Sequence, residues 1–105
     1  SVPKNSLPIQ IDREDFEQPE AVWLLVFFSS ESCDSCERVH DLLKSLSLDS
    51  LHIQEVEFPE KIATHQRYGI DSVPITLVAD VDGVVVWSYA GVPPTDLFSN
   101  MVSSL

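Results

Sequence analysis

Leu24-Leu25-Val26-Phe27-Phe28-Ser29-Ser30-Glu31-Ser32-Cys33-Asp34-Ser35-Cys36 decides how this chain is read. The apolar run from Val22 to Phe28 is nearly continuous and rich in branched and aromatic residues. That is the pattern of a strand covered on both faces, and it belongs at the centre of a sheet. Beyond it, Val39, Leu42, Leu43 and Leu46 recur at helical spacing while Glu37, Arg38, Asp41 and Lys44 take the wet side. The spacing predicts a helix from about Asp34 to Leu48. The chain's two cysteines, Cys33 and Cys36, fall at this junction. Cys33 is expected at or near the helix N-cap, where unpaired N–H groups and the positive end of the helix dipole favour a thiolate, with Cys36 one turn further on. A thiol pair in that position suits disulfide exchange: Cys33 attacks a sulfur, and Cys36 resolves the mixed disulfide at high effective concentration.

Two cysteines at this spacing can also supply half of a zinc site. Structural zinc needs two further sulfur or imidazole ligands, and the candidates are His40, His52 and His65, which form no second paired knuckle. His40 lies four residues after Cys36, yet the set still lacks a fourth ligand at a recognisable spacing. No metal is therefore expected, and the reversible Cys33–Cys36 disulfide is read as the redox group, the alternative being a relic or purely structural pair.

The chain's 105 residues, 44% of them hydrophobic, suffice for one core and leave no room for a second domain. Residues 1–7 read as a flexible terminus or linker remnant, and residues 8–105 as one domain. A formal charge of −11, from 17 acidic against 6 basic residues, repels nucleic-acid phosphates and anionic membranes. The longest apolar run falls far short of the roughly 20 residues that span a bilayer. Ser1-Val2-Pro3-Lys4-Asn5-Ser6 reads as a mature terminus, a linker remnant or an excised boundary, which leaves the compartment open; the cytoplasm is favoured over a mature secreted or periplasmic setting.

Elsewhere, Pro8-Ile9-Gln10-Ile11 is a short strand candidate, and Asp12 is placed to cap one or two helical turns before Pro19. Leu51 to Phe58 reads as a strand ended by Pro59, and Lys61 to Tyr68 as a helix stopped by Gly69. Ile75 to Ala79 and Val84 to Ser88 flank Asp82-Gly83 as a β-hairpin. Pro93 to Leu105 reads as a closing amphipathic helix with Leu97, Met101, Val102 and Leu105 inward. Trp87 and Tyr89 read as sheet packing, and His52 and His65 carry no functional signal. The predicted order is β-α-β-α-β-α-β-β-α.

Phe27-Phe28 before Cys33-Asp34-Ser35-Cys36, Tyr68-Gly69-Ile70 before Ser72-Val73-Pro74-Ile75-Thr76, and Asp82-Gly83 followed by Gly91 together resemble the thioredoxin fold family over essentially the whole chain. The resemblance implies an α/β protein, a three-layer α/β/α sandwich around a mixed four- or five-stranded sheet. It implies a cis Val73–Pro74 bond that turns the backbone of Val73 toward the dithiol, where a client strand could pair. It also implies that Gly91 leaves an apolar groove open. Cys33 and Cys36 would then be the catalytic pair, with Val73, Pro74 and Gly91 positioning the substrate.

The departures from the family pattern bear on mechanism. Ser32 stands where the family has tryptophan, and Asp34-Ser35 where it has Gly-Pro. Glu31, Asp34 and Glu37 oppose thiolate formation at Cys33 while the helix dipole favours it, so a reducing or selective exchange role is expected rather than a strong oxidase. The family's buried aspartate aligns with Phe27, and its lysine partner with Glu55. Glu55 shares the alternation of Ile53, which makes it a candidate proton relay facing inward below Cys36; the competing and favoured reading is an edge or solvated glutamate. The expected partners are protein or peptide disulfide clients, with basic surface near the disulfide, and an external reductase or dithiol donor. The principal alternative is a binding or chaperone-like module in which exchange is secondary. A peroxide-reducing enzyme fits less well, because no threonine-proline approach to Cys33 is present.

Overall fold

A computed structural model describes residues 7–105. Of the expected flexible terminus, residues 1–6 lie outside the described residues. Four strands form one sheet: β1 (Trp23–Ser30), β2 (Leu51–Phe58), β3 (Ile75–Ala79) and β4 (Val85–Ala90), in the spatial order β2-β1-β3-β4. β1 runs parallel to β2 and antiparallel to β3, and β3 runs antiparallel to β4. The parallel step is bridged by helix α1 (Cys36–Lys44), while α2 (Ile62–Arg67) links β2 to β3 and α3 (Thr95–Ser103) closes the chain.

β1 lies inside the sheet because six consecutive residues, Leu24 to Ser29, are buried and need cover on both faces. Its alternation divides the core. Leu24, Val26 and Phe28 join Ile75, Leu77, Ile11 and Phe16 on the α2 side. Leu25 and Phe27 join Cys36, Val39, Phe98 and Met101 beneath α1 and α3. Phe27 and Phe28 are both fully buried and point to opposite faces, each contributing about 1.5–3 kcal/mol by the usual area relation.

Three expectations change. The strand expected at Pro8–Ile11 shrinks to one bridge, Gln10 with Val84, so the sheet has four strands. Ile9 is 82% exposed there, and Asp12 diverts the chain into a 3-10 turn over Arg13–Asp15 by accepting a hydrogen bond from Glu14 N at 3.0 Å. The last hairpin strand begins one residue later than expected, because Val84 is spent on that bridge. In α3, Leu97 is 42% exposed and does not face inward. Pro94 is the N-cap, and the resulting winding makes Phe98, Met101, Val102 and Leu105 the inner stripe at i, i+3, i+4, i+7, with Leu97 one residue off it.

The connections are held by specific bonds. Asp80 Oδ1 accepts from Asp82 N and Val84 N, both at 2.9 Å, and Gly83 takes a φ of 81° that lets the hairpin turn reach Ile11. Arg13, only 6% exposed, donates to the carbonyls of Asp80, Gln18 and Ala21 at 2.7–3.0 Å, fastening the first turn to the hairpin. No helix among the described residues is long and apolar enough to cross a membrane.

Candidate functional site

The site forms where β1 runs out. Cys33 N donates to Ser30 O and Cys36 N to Cys33 O, both at 3.3 Å, so the chain winds tightly from the strand end into α1. Ser35, not Cys33, is the N-cap, and Cys36 is the first helical residue. Cys33 thus sits two residues ahead of the cap, in the turn that starts the winding. The two cysteines are disulfide-bonded with their Cα atoms 5.4 Å apart, inside the range that such a bond requires. They differ in access: Cys33 is half-buried, whereas Cys36 is 3% exposed within the α1-side core. An incoming sulfur can reach only the first.

Cys33 opens on a depression of about 560 Å³ bordered by Ser30, Ser32, Asp34, Ser35, Arg38 and Val73. Ser35 Oγ lies 3.7 Å from Cys33 Sγ, and Arg38 places a cation at the rim. Across Ser30, Ser32 and Val73 lies a second hollow of about 250 Å³, to which Phe58, His65 and Ile70 add apolar wall. His65 is itself buried, with Nε2 2.8 Å from Val56 O and its ring edge-on to Phe28. That arrangement makes it a packing residue.

The Val73–Pro74 bond is cis, and Val73 borders the Cys33 depression. Among the described residues, the amide and carbonyl of Val73 make no hydrogen bond, while Pro74 O accepts from Gly91 N at 2.9 Å. Gly91, at a φ of 99°, is so open that an added Cβ would meet only the Tyr89 ring edge, at 4.0 Å. The structure therefore places Val73, Pro74 and Gly91 around the loop that faces the thiol pair.

Beneath the site, Glu55 on β2 is the register partner of Phe27 on β1. Its side chain lies on the α1 side of the sheet, as alternation with Ile53 requires, but remains 35% exposed because β2 is an edge strand. Ser29 Oγ donates to Glu55 Oε2 at 2.5 Å, and His40 Nε2 lies 2.8 Å from Glu55 Oε1. His40 also packs edge-on to Phe27, with ring centroids 5.1 Å apart. A three-residue polar chain, Ser29–Glu55–His40, thus occupies the flank of Phe27, and His40 lies one helical turn beyond Cys36. Sequence reasoning singles out Glu55 and weighs His40, but misses Ser29 and the buried Thr76 on β3. Their signal is a polar residue inside an otherwise apolar strand. Among the described residues, no three His, Cys, Asp or Glu side chains gather as a metal site, and His40 is turned to Glu55.

No protein-family profile and no curated protein matches the chain. Solved structures do. A point-mutant thioredoxin from Halobacterium salinarum NRC-1 superimposes with a TM-score of 0.74 at 20% identity, over 99% of this chain and 93% of that one. Mitochondrial thioredoxin 3 from Saccharomyces cerevisiae, in its oxidized form, gives 0.70 at 17% identity over 83% and 82%. The chain has a thioredoxin-like α/β/α fold with a central mixed sheet, and it carries a CxxC-type disulfide at Cys33–Cys36.

Proposed function

We propose that this protein is a thiol-disulfide oxidoreductase that reduces or exchanges disulfides in protein or peptide clients. The observation that carries this reading is the unequal access of a bonded pair: half-buried Cys33 on an open depression beside cis-Pro74, with Cys36 sealed behind it. In the reduced protein, the Cys33 thiolate attacks one sulfur of a client disulfide. The client S–S bond breaks, its other sulfur leaves and takes a proton, and a Cys33–client bond forms. Cys36 then gives up its proton and attacks Cys33 Sγ. The second client sulfur leaves as a thiol, and the Cys33–Cys36 bond closes. Two electrons have passed to the client, and an external dithiol or reductase must return them.

The unpaired backbone of Val73 offers a client strand one antiparallel hydrogen-bonding partner, and Gly91 leaves room for its side chains. Glu55, through Ser29 and His40, serves as the group that carries the Cys36 proton away. Clients with basic surface near their disulfide suit the net charge of −11.

Redox titration against glutathione and trapping with Cys36→Ser test the proposal. The wild-type pair should exchange reversibly, and the variant should accumulate a mixed disulfide at Cys33. Client binding that survives replacement of both cysteines, with no mixed disulfide, would instead identify a binding module.

A further inference from the structure

Thr76 is the second residue of β3, between Phe27 of β1 and Tyr89 of β4, and is fully buried. Its Oγ1 has no hydrogen-bond partner among the described residues. A buried hydroxyl left unpaired costs about 1–3 kcal/mol, and native interiors rarely keep one without reason. Valine would fill the same β-branched volume at no such cost.

Strand alternation fixes which face of the sheet the Thr76 side chain takes. Ile75, Leu77 and Ala79 face the α2 side, whereas Val78 belongs to the cluster under α1 and α3. Thr76 therefore shares the face of Val78, Phe27 and Cys36, and Val73, three residues before it in the chain, packs onto the same cluster. Phe27 can neither donate a hydrogen bond to the resolving cysteine nor take a proton from it. The orphan donor and the buried sulfur thus belong to one apolar compartment.

We infer that Thr76 is a positioning residue for Cys36, its hydroxyl donating to the Cys36 sulfur once the disulfide opens. The inference rests on the reading that the pair cycles between its two redox states. In the disulfide, Cys36 Sγ is bonded to Cys33 and the hydroxyl stays unpaired. On reduction, two thiols such as glutathione supply two electrons and two protons and become a disulfide. The Cys33–Cys36 bond breaks, and Cys36 Sγ becomes free to accept. Because the hydroxyl is unpaired in the disulfide and gains an acceptor only when the bond is open, Thr76 favours the dithiol and holds Cys36 on its side of the sheet.

The test is the equilibrium of wild type, Thr76→Val and Thr76→Ser with glutathione, joined to urea midpoints of the oxidised and reduced proteins. Thr76→Val should move the equilibrium about tenfold toward the disulfide, which is about 30 mV lower in potential. It should leave the oxidised form as stable as wild type or more so, and weaken the reduced form. Thr76→Ser, which keeps the hydroxyl, should stay within about threefold of wild type. If the valine variant does not fold, Thr76→Ala carries the same comparison. An unchanged equilibrium without the hydroxyl, or a serine variant that shifts as far as valine, overturns the assignment while leaving the exchange reading intact. A wild-type pair that never equilibrates with glutathione overturns both.

Discussion

The Ser29–Glu55–His40 chain should behave as a coupled unit whose members are unequal, and the inequality follows from burial. Ser29 is 1% exposed, whereas Glu55 and His40 stand at 35% and 34%. In Ser29→Ala, Glu55 loses one donor but can turn that oxygen to water, so the cost should be about 1 kcal/mol, the ordinary net worth of one hydrogen bond. Glu55→Ala is worse, because it strands the Ser29 hydroxyl inside the core, at about 1–3 kcal/mol. The His40–Glu55 contact adds little, about 0.2–1 kcal/mol, because solvent screens a pair that open. Once the carboxylate is gone, removing the hydroxyl as well should relieve the damage, so the double variant should be less destabilised than the sum by about 0.5–2 kcal/mol. Urea denaturation of the oxidised protein measures all three variants under one transition. Strict additivity within about 0.3 kcal/mol would refute the reasoning, since it would mean that Ser29 and Glu55 do not hold each other in solution.

Glu55→Gln keeps the shape of this chain but removes its base. It should slow closure of the Cys33–Cys36 bond by about tenfold, below the full range for a positioned base because water also reaches the site, and leave attack by Cys33 unchanged; stopped-flow traces that slow both steps equally would count against a relay. Tyr68 should set an alkaline limit to stability. Burial, and then donation to Asp15, hold its phenol above the ordinary value of 10.0, so the stability from the protonated form is fully present below about pH 10 and is lost as pH rises through the folded value. Tyr68→Phe should cost about 0.5–1.5 kcal/mol at neutral pH and flatten that alkaline decline in urea midpoints measured from pH 8 to 11.

How much of the fold and site is legible in the sequence depends on the range of the interaction. The β1–α1 junction can be read because its two periodicities and its cysteines are all local, and Leu51–Phe58 can be read to the residue because Pro59 marks its end. The first strand is overestimated because Ile9 and Ile11 look alike in sequence, although one is 82% and the other 2% exposed. Leu97 is taken for an inward residue in place of Phe98 because the phase of a short helix depends on where its cap falls. Arg13 hides its charge among three carbonyls supplied by residues up to 67 positions away. Ser29 and Thr76 escape notice for the same reason: Ser29 meets Glu55 across 26 residues, and Thr76 is flanked by two other strands, β1 and β4. Polar partners brought together only by tertiary contact leave no period to read.

The unequal placement of the two sulfurs also decides how the protein meets an oxidant. An agent that converts the Cys33 thiolate to a sulfenic acid does so within bonding reach of a shielded neighbour, the Cα atoms being 5.4 Å apart in the bonded state. Condensation with Cys36 then expels water and stores the damage as a recoverable bond, ahead of the irreversible sulfinic and sulfonic stages. The sealed cysteine works as a built-in fuse for the outward one.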